Sequence, residues 1–284
     1  MARLRHSTVL ITGGASGIGR LMGQLSLERG IRQLVIWDVN AANLQQTAAD
    51  LQAHGYTVFP YLADVADAQS VQLTAEQVLN EVGVPDILIN NAGMVVGKPF
   101  AEHTYNEIKQ TLDINTLGPM LVTRAFLPEM LARGSGHIVN IASAAGLLPN
   151  PRMSVYAASK WAVVGWSENL RLELEASYPN LHVTTVTPSY IDTGMFAGVK
   201  APILTPLLKP AAMAVAVLNA VEQNRILLRK PAIVHLLPVL RGILPTRVFD
   251  YLVGRVFQVY TSMDHFTGRP TAETHEAPSI DKNY

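Results

Sequence analysis

The sequence contains no cysteine, and it has no excess of either charge, because 22 Lys and Arg residues balance 22 Asp and Glu residues. The first absence excludes disulfide bonds, thiolate metal sites and cysteine nucleophiles. The second means that no overall field attracts a polyanion, so we expect no nucleic acid among the partners. The eight histidines show no paired spacing typical of metal ligands, and no metal is predicted.

Long apolar runs are absent as well. The nearest approach is Pro231–Leu240, which contains two prolines and is far shorter than the ~20 residues that span a bilayer. Near the start, the apolar run Thr8–Ile11 is broken at once by Gly13 and Gly14, which leaves no signal-peptide core. We therefore expect no signal peptide and no transmembrane helix, and the sequence predicts a cytoplasmic protein.

Short apolar runs alternate with longer stretches of helical period. The runs are Thr8–Ile11, Leu34–Trp37, Thr57–Tyr61, Ile87–Ile89, His137–Ile141 and His182–Val186. Because they are continuously apolar, they suit strands that are covered on both faces. The sequence predicts an α/β fold of the Rossmann type, a doubly wound parallel sheet with helices on both faces. We place a single domain at residues 1–225 and a C-terminal extension at residues 226–284.

A glycine-rich loop follows the first strand and precedes a helical stretch that runs to about Arg29. Glycines let the backbone approach a pyrophosphate, and the free N–H groups at the start of a helix bind its charge. Such a loop is by itself also an ordinary turn. The residues assigned here to cofactor binding are Gly13, Ser16, Gly17, Ile18 and Gly19.

The ends of the next three strands carry further candidate cofactor ligands. Asp38 ends the second strand, where a carboxylate can accept hydrogen bonds from ribose hydroxyls and repel a 2′-phosphate. This predicts NAD in preference to NADP, although an Asp in a strand-end turn is also common. After the third and fourth strands we assign Asp64, Val65, Asn91, Ala92 and Gly93 to the cofactor.

Farther along the chain, Ser143, Tyr156 and Lys160 form the candidate catalytic centre. Tyr156 and Lys160 lie four residues apart on one helix face, and Ser143 follows the fifth strand. Lys160 is the only charged residue between Met153 and Ser167, so we expect it to be buried and to lower the pKa of the Tyr156 phenol. Tyr156 would then exchange a proton with the substrate hydroxyl, while Ser143 hydrogen-bonds the same oxygen.

Asn115 adds a fourth candidate. It shares a helical spacing with Ile108, Leu112 and Val122, so we expect it to face inward, where an unpaired amide is costly. Either it compensates for a local irregularity of the helix, or it holds a water molecule on a proton path to Lys160, or both.

Together these motifs resemble the short-chain dehydrogenase/reductase family. The similarity covers about residues 6–195 and rests on Thr12-Gly-x-x-x-Gly-x-Gly19, Asn90-Asn-Ala-Gly93, Asn115, Ser143 and Tyr156-x-x-x-Lys160. The resemblance implies that Asn115, Ser143, Tyr156 and Lys160 are the catalytic tetrad. It also implies that Tyr156 is the acid/base and that Lys160 holds the nicotinamide ribose.

The region after the sixth strand departs from the family pattern. Pro188-Ser189 stands where the family usually has Pro-Gly, which reduces backbone freedom at that point. Cofactor contacts are still inferred for Pro188, Ile191 and Thr193. Later segments, such as Leu204–Pro210 and the ending Met263-Asp-x-Phe-x-Gly-Arg269, are similar to the retinol and 17-beta-hydroxysteroid dehydrogenase branch.

The substrate is expected to be a lipophilic alcohol or carbonyl compound, such as a secondary alcohol, a steroid or a retinoid. Apolar residues close to the site favour a pocket with few polar anchors, and we assign Val95, Leu148 and Met195 to it beside Ser143 and Tyr156. The extension mixes basic and apolar residues. It is either a lid, a subunit contact or a patch that touches a membrane surface.

Two other functions stay open. One is an NADPH-dependent ketoacyl-type reductase, against which Asp38 argues. The other is an NAD-binding scaffold or sensor without turnover, against which the complete set of Tyr156, Lys160 and Ser143 argues. Family resemblance predicts a homo-dimer or homo-tetramer.

Overall fold

The computed structural model describes residues 4–268. Arg269 and the rest of the proposed extension to residue 284 lie outside the described residues. Seven strands form one sheet in the order β3-β2-β1-β4-β5-β6-β7, and every neighbouring pair is parallel. The strands are β1 (Thr8–Thr12), β2 (Gln33–Asp38), β3 (Val58–Leu62), β4 (Ile87–Asn90), β5 (Gly136–Ile141), β6 (Leu181–Pro188) and β7 (Leu227–Lys230).

Helices connect these strands and cover the sheet. The α-helices are α1 (Gly17–Glu28), α2 (Ala41–Ala53), α3 (Ala68–Glu81), α4 (Tyr105–Leu112), α5 (Gly118–Arg133), α6 (Ser154–Glu175), α7 (Pro210–Glu222), α8 (Leu237–Ile243) and α9 (Thr246–Asp250). A π-helical turn, Asp113–Leu117, joins α4 to α5. The predicted α/β class with a Rossmann-type sheet is confirmed.

The two faces of the sheet belong to two apolar clusters. On one face, Val9 and Ile11 of β1 pack with buried residues of α1, α2 and α7. On the other, Leu10 packs with buried residues of α3, α5 and α6. Successive side chains of a strand point to opposite faces, so a strand buried on both sides must be apolar at every position. This explains the continuous apolar runs in the sequence.

The strand order reverses between β1 and β4, because the chain first builds outward to β3 and then returns to the other side of β1. In doubly wound sheets, ligands bind in the crevice at this point, outside the carboxyl ends of the strands. The last strand, β7, pairs with β6 over Thr185–Pro188. The sheet therefore extends past residue 225, where the sequence placed the end of the domain.

Candidate active site

A cleft of about 730 Å³ lies at the carboxyl end of the sheet. Its walls come from the loops after β1, β4, β5 and β6 and from the start of α6. Most of the residues assigned from sequence to the cofactor or to catalysis line it, together with Met195, which was assigned to the substrate: Gly13, Ser16, Gly17, Ile18, Asn91, Ala92, Gly93, Ser143, Tyr156, Lys160, Pro188, Ile191 and Thr193.

The loop between β1 and α1 depends on glycine for two different reasons. Gly13 has a φ of +63°, a conformation that side chains rarely adopt. Gly19 has an ordinary φ, but a Cβ added there would lie 2.2 Å from the Gly13 carbonyl oxygen and 2.6 Å from Asn91 Nδ2. The missing side chain at Gly19 thus lets the loop backbone and Asn91 pack closely against the first turn of α1, where backbone N–H groups favour an anion.

Asn91 holds this loop in place. Its side-chain amide donates to the carbonyl oxygens of Thr12 at 3.0 Å and Gly13 at 3.1 Å. Its backbone N–H donates to Thr12 Oγ1 at 3.0 Å. The side-chain amide of Asn91 therefore bonds the backbone of the glycine-rich loop.

Asp38 faces the same loop from the end of β2. Oδ2 accepts a hydrogen bond from the backbone N–H of Ala15 at 3.0 Å, and Oδ1 accepts one from Asn40 at 3.0 Å. A carboxylate oxygen has two lone-pair directions, so each oxygen can accept a further bond. The carboxylate is thus fixed beside the loop and half-buried.

Asp64 and Val65 do not line the cleft. The Asp64 carboxylate is exposed and accepts from the backbone N–H of Ala66 at 2.9 Å. Val65 is buried and lies close to Gly118, since a Cβ added at that glycine would be 3.0 Å from a Val65 methyl group. In this structure both residues shape the turn after β3.

Tyr156 and Lys160 are both buried at the start of α6, each with about 5% of its surface exposed. The Lys160 ammonium donates to the carbonyl oxygen of Ile141 at 2.9 Å and lies 5.8 Å from the centroid of the Tyr156 ring. Ser143 Oγ accepts from the backbone N–H of Ala145 at 3.1 Å. The structure therefore brings Tyr156, Lys160 and Ser143 together in the cleft, as expected from their positions in the sequence.

Burial shifts both titrating groups away from their charged forms. It raises the pKa of Tyr156 to about 12, against the effect of a hydrogen bond with Ser143, which lowers it, and a smaller contribution from Tyr190, which raises it further. Burial also lowers the pKa of Lys160 to about 8. In the protein alone, desolvation therefore dominates and raises the pKa of the phenol, which is opposite in direction to the lowering expected from Lys160.

Replacing Lys160 with Met is expected to change how stability depends on pH. The folded pKa of about 8 lies below the ordinary value of 10.5, so between these pH values the unfolded chain binds more protons than the folded protein. The free energy of unfolding of the native protein should therefore gain about 3 kcal/mol from this group as the pH rises through that interval.

Denaturant unfolding of both proteins at pH 8 and at higher pH measures this contribution. All other titrating groups are common to the two proteins, so the difference isolates Lys160. An equal pH dependence of the native protein and Lys160→Met would contradict the burial of a titrating ammonium.

Asn115 lies in the π-helical turn between α4 and α5 and is fully buried. Its Oδ1 accepts from the backbone N–H of Met94 at 2.9 Å, and its Nδ2 donates to the Met94 carbonyl oxygen at 2.9 Å and to Ser159 Oγ at 3.1 Å. The amide thus joins an irregular helix turn to the loop after β4, the first of the two roles left open by the sequence.

The loop after β6 accommodates serine in place of the expected glycine. Ser189 has no positive φ, and its backbone N–H donates to the carbonyl oxygen of Lys230 at 2.8 Å, which continues the pairing of β6 with β7. Glycine's conformational freedom is therefore not needed here. Pro188, Ile191 and Thr193 remain on the wall of the cleft.

A second cavity of about 1000 Å³ adjoins the cleft and shares Ser143, Ser189 and Phe196 with it. Its remaining lining is mostly apolar and comes largely from the chain after residue 200. Among the residues assigned to substrate, Leu148 lines this cavity, and Met195 lines the cleft. Val95 lines neither, but it packs against the buried cluster that contains Tyr156.

A polar cluster that was not predicted from the sequence lies at the wall of this cavity. The side chains of Asn150, Tyr190 and Ser262 lie within hydrogen-bonding distance of each other, at 2.7 Å, 2.8 Å and 3.2 Å. Tyr190 directly follows the Pro188-Ser189 dipeptide, whose departure from the family's Pro-Gly is the sequence feature that points to this part of the chain. The cluster ties the segment after residue 259 to the loops that follow β5 and β6.

Within residues 4–268, no group of three or more His, Asp or Glu side chains is arranged to hold a metal ion. In the same range, none of the helices has both the length and the apolar character required to cross a bilayer.

Comparisons with known proteins agree with this architecture. A family model described as short chain dehydrogenase matches residues 7–203. The human protein named short-chain dehydrogenase/reductase 3 is 36% identical over 268 residues, covering 94% of this chain and 88% of that protein. Mouse epidermal retinol dehydrogenase 2 is 36% identical over 265 residues, covering 92% and 85%.

Among solved structures, a short-chain dehydrogenase/reductase from Burkholderia phymatum in complex with NAD is similar to this chain. The TM-score is 0.78 at 27% sequence identity, and the match covers 85% of this chain and 95% of that one.

Proposed function

The chain belongs to the short-chain dehydrogenase family, as an NAD(P)-dependent oxidoreductase that acts on alcohols, and from this membership we propose its specific reaction. The protein transfers hydride between NAD(H) and a bulky, largely apolar alcohol/carbonyl pair, with Tyr156 as the general acid/base. Ser143, Lys160 and Asn115 complete the site.

One observation carries this proposal. The glycine-rich cleft and the apolar cavity meet at Ser143, and Tyr156 lines the cleft beside it. A cofactor in the first space and an apolar substrate in the second would therefore meet next to a hydroxyl and a phenol. Because both reactants would already be held in position there, the chemical step would require little further loss of translational and rotational entropy.

The residues of the cleft fit a dinucleotide. Gly13, Gly17 and Gly19 leave space for a pyrophosphate, and Asp38 has acceptor capacity for a ribose. Lys160 and the loop Asn91–Gly93 would hold the nicotinamide half. When bound, NAD supplies the hydride acceptor.

The protein's own groups handle the proton and the developing charge. In the oxidation direction Tyr156 accepts the proton of the substrate hydroxyl, and in the reduction direction it returns one. Ser143 Oγ accepts from Ala145 and hydrogen-bonds Tyr156 in the protein alone; with substrate bound, its O–H would turn to donate to the substrate oxygen. Lys160 offsets the negative charge of the phenolate, whose formation the burial of Tyr156 otherwise opposes.

The shape and chemistry of the second cavity support an apolar substrate. It is lined mainly by apolar residues, and Leu148, Phe196 and Leu240 are among them. Such a lining favours a molecule with few polar groups. A retinoid, a steroid or a long-chain secondary alcohol has this character, and the name of the mouse relative refers to retinol.

The test follows nicotinamide absorbance with NAD and with NADP against steroids, retinoids, simple alcohols and ketoacyl thioesters. We expect turnover with NAD and a large apolar alcohol, and a lower kcat/KM for short alcohols. Turnover of ketoacyl thioesters with NADPH alone would identify a ketoacyl-type reductase, and NAD binding without any turnover would identify a scaffold or sensor.

Asp38→Asn is expected to weaken the discrimination against NADP. The substituted side chain would keep its size but lose the negative charge that opposes a 2′-phosphate. The ratio of kcat/KM for NAD to that for NADP should fall by about 10- to 100-fold. Asp67→Asn is the matched control, since that carboxylate also accepts a backbone N–H, from Gln69, but it caps α3, whereas the Asp38 carboxylate bonds the glycine-rich loop at Ala15. An unchanged ratio in Asp38→Asn would contradict the role of Asp38.

The expected homo-dimer or homo-tetramer and the cytoplasmic location stay predictions of the sequence. The mass in solution, measured by analytical ultracentrifugation, tests the first. The location of the tagged protein in intact cells tests the second.

A further inference from the structure

Helix α8 is apolar on two sides. Leu237, Leu240 and the following Leu244 pack against the buried cluster of Phe249 and Val253. The adjacent, exposed side carries Leu236, which directly precedes the helix, together with Val239 and Ile243, and these side chains are 50%, 54% and 76% exposed. Three large apolar side chains on the outer side of one short helix expose far more apolar surface than isolated surface residues do.

This outer side is continuous with the mouth of the apolar cavity. Leu236 and Ile203 both line the cavity, and their side chains are 50% and 48% exposed. Leu204, next in the chain, is 59% exposed. We call these residues the α8 surface: Ile203, Leu204, Leu236, Val239 and Ile243.

The charges around the α8 surface are nearly all positive. Between residues 236 and 256 the basic residues are Arg241, Arg247 and Arg255, and all three are exposed. The one acid in that range is Asp250, whose carboxylate accepts a hydrogen bond from the Tyr260 hydroxyl at 2.8 Å. An apolar surface with a basic border is complementary to an anionic lipid headgroup layer above an acyl region.

A second copy of the chain fits this surface less well. A two-fold interface brings the same patch of both subunits together. The exposed arginines of both subunits would then lie within one interface, and like charges that are brought together in an interface oppose association.

We propose that the α8 surface docks on an anionic phospholipid bilayer, so that an apolar substrate passes from the lipid directly into the cavity behind it. The docking depends only on the exposed residues, whereas the passage of substrate rests on the proposed function. The apolar side chains would enter the boundary between headgroups and acyl chains, and Arg247 and Arg255 would contact lipid phosphates.

Flotation with lipid vesicles tests the docking. The full chain should bind vesicles of phosphatidylcholine and phosphatidylserine more tightly than vesicles of phosphatidylcholine alone. Val239→Ser/Ile243→Ser should lower the vesicle partition about tenfold or more, since two exposed apolar side chains no longer reach the lipid. Arg247→Gln/Arg255→Gln should lower it about tenfold on anionic vesicles only.

Matched controls use equally exposed residues elsewhere. Leu62→Ser/Leu73→Ser removes apolar side chains that are 61% and 52% exposed, and Lys109→Gln/Arg124→Gln removes two exposed cations. Both should bind vesicles like the native chain. Equal loss in these controls, or no binding of the native chain to anionic vesicles, would overturn the proposal.

Two further readouts separate the alternatives. If Val239→Ser/Ile243→Ser lowers the oligomeric mass in solution and the native chain binds no vesicles, the α8 surface is a contact between copies, and the proposal fails. Turnover is measured without vesicles, across the same panel of alcohols that tests the proposed function. Vesicle binding without turnover therefore overturns only the proposed function, and turnover without vesicle binding overturns only the docking.

Discussion

Replacing Tyr156 with Phe should lower kcat about 10³-fold for every substrate, while the affinity for NAD stays within about twofold of the native value. The substitution removes one oxygen and keeps the ring, which makes an edge contact with Phe196 at a centroid distance of 6.1 Å. The loss is therefore that of the proton exchange and not of packing. Steady-state kinetics measure the first quantity, and calorimetric titration with NAD measures the second.

Tyr178→Phe provides the matched control, because Tyr178 packs at the edge of the apolar cluster on one face of the sheet and lies outside the cleft. It should turn over like the native protein. Full activity of Tyr156→Phe would contradict the acid/base role, and the chemistry would then have to be assigned to another group.

Replacing Gly19 with Ala should raise the dissociation constant for NAD about 100-fold or more. The added Cβ would lie 2.2 Å from the Gly13 carbonyl oxygen, and this backbone atom can move only if the phosphate loop moves. A displacement of about 1 Å in a positioning element commonly costs about 100-fold. Calorimetric titration with NAD measures the effect.

Gly165→Ala separates this effect from a general effect of alanine in a helix. Gly165 lies in α6, and a Cβ there meets nothing within 4 Å, so the variant should bind NAD normally and be slightly more stable. Circular dichroism establishes whether Gly19→Ala is folded. Normal NAD affinity in a folded Gly19→Ala would contradict the assignment of the loop to the pyrophosphate.

Tyr156 and Lys160 show which properties of a site can be predicted from residues that are close in the sequence. Their spacing on one helix face follows from helix geometry, and burial of Lys160 follows from its apolar neighbours. The direction of the Tyr156 pKa does not follow from either, because it depends on the balance between desolvation and charge. In the protein alone, desolvation raises it.

The last strand of the sheet, β7, was not predicted from the sequence. The central strands read as continuous apolar runs because both of their faces are covered. β7 (Leu227–Lys230) lies at the edge of the sheet and contains Arg229 and Lys230. Without two covered faces it carries no such pattern, so the sequence placed the domain end just before it.

The apolar cavity beside the cleft could not be predicted from the sequence for a related reason. Its walls come from segments as far apart as Ser143 and Val259, and the polar cluster on its wall joins residues separated by up to 112 positions. No local periodicity records which of these segments meet. Leu148 could be assigned because it follows Ser143 closely, whereas Asn150 and Tyr190 acquire a role only through their contact with Ser262.

The sequence by itself determined the fold class, the glycine loop and the Tyr156, Lys160 and Ser143 constellation. Each of these depends on strand burial, backbone freedom or helix spacing, which act between residues close in the chain. Tertiary structure decided the pairing of Asn115 with Met94, the raised pKa of Tyr156, the walls of the substrate cavity and the exposure of the α8 surface. These depend on which distant segments pack together, and burial and electrostatics are set only after that packing has formed.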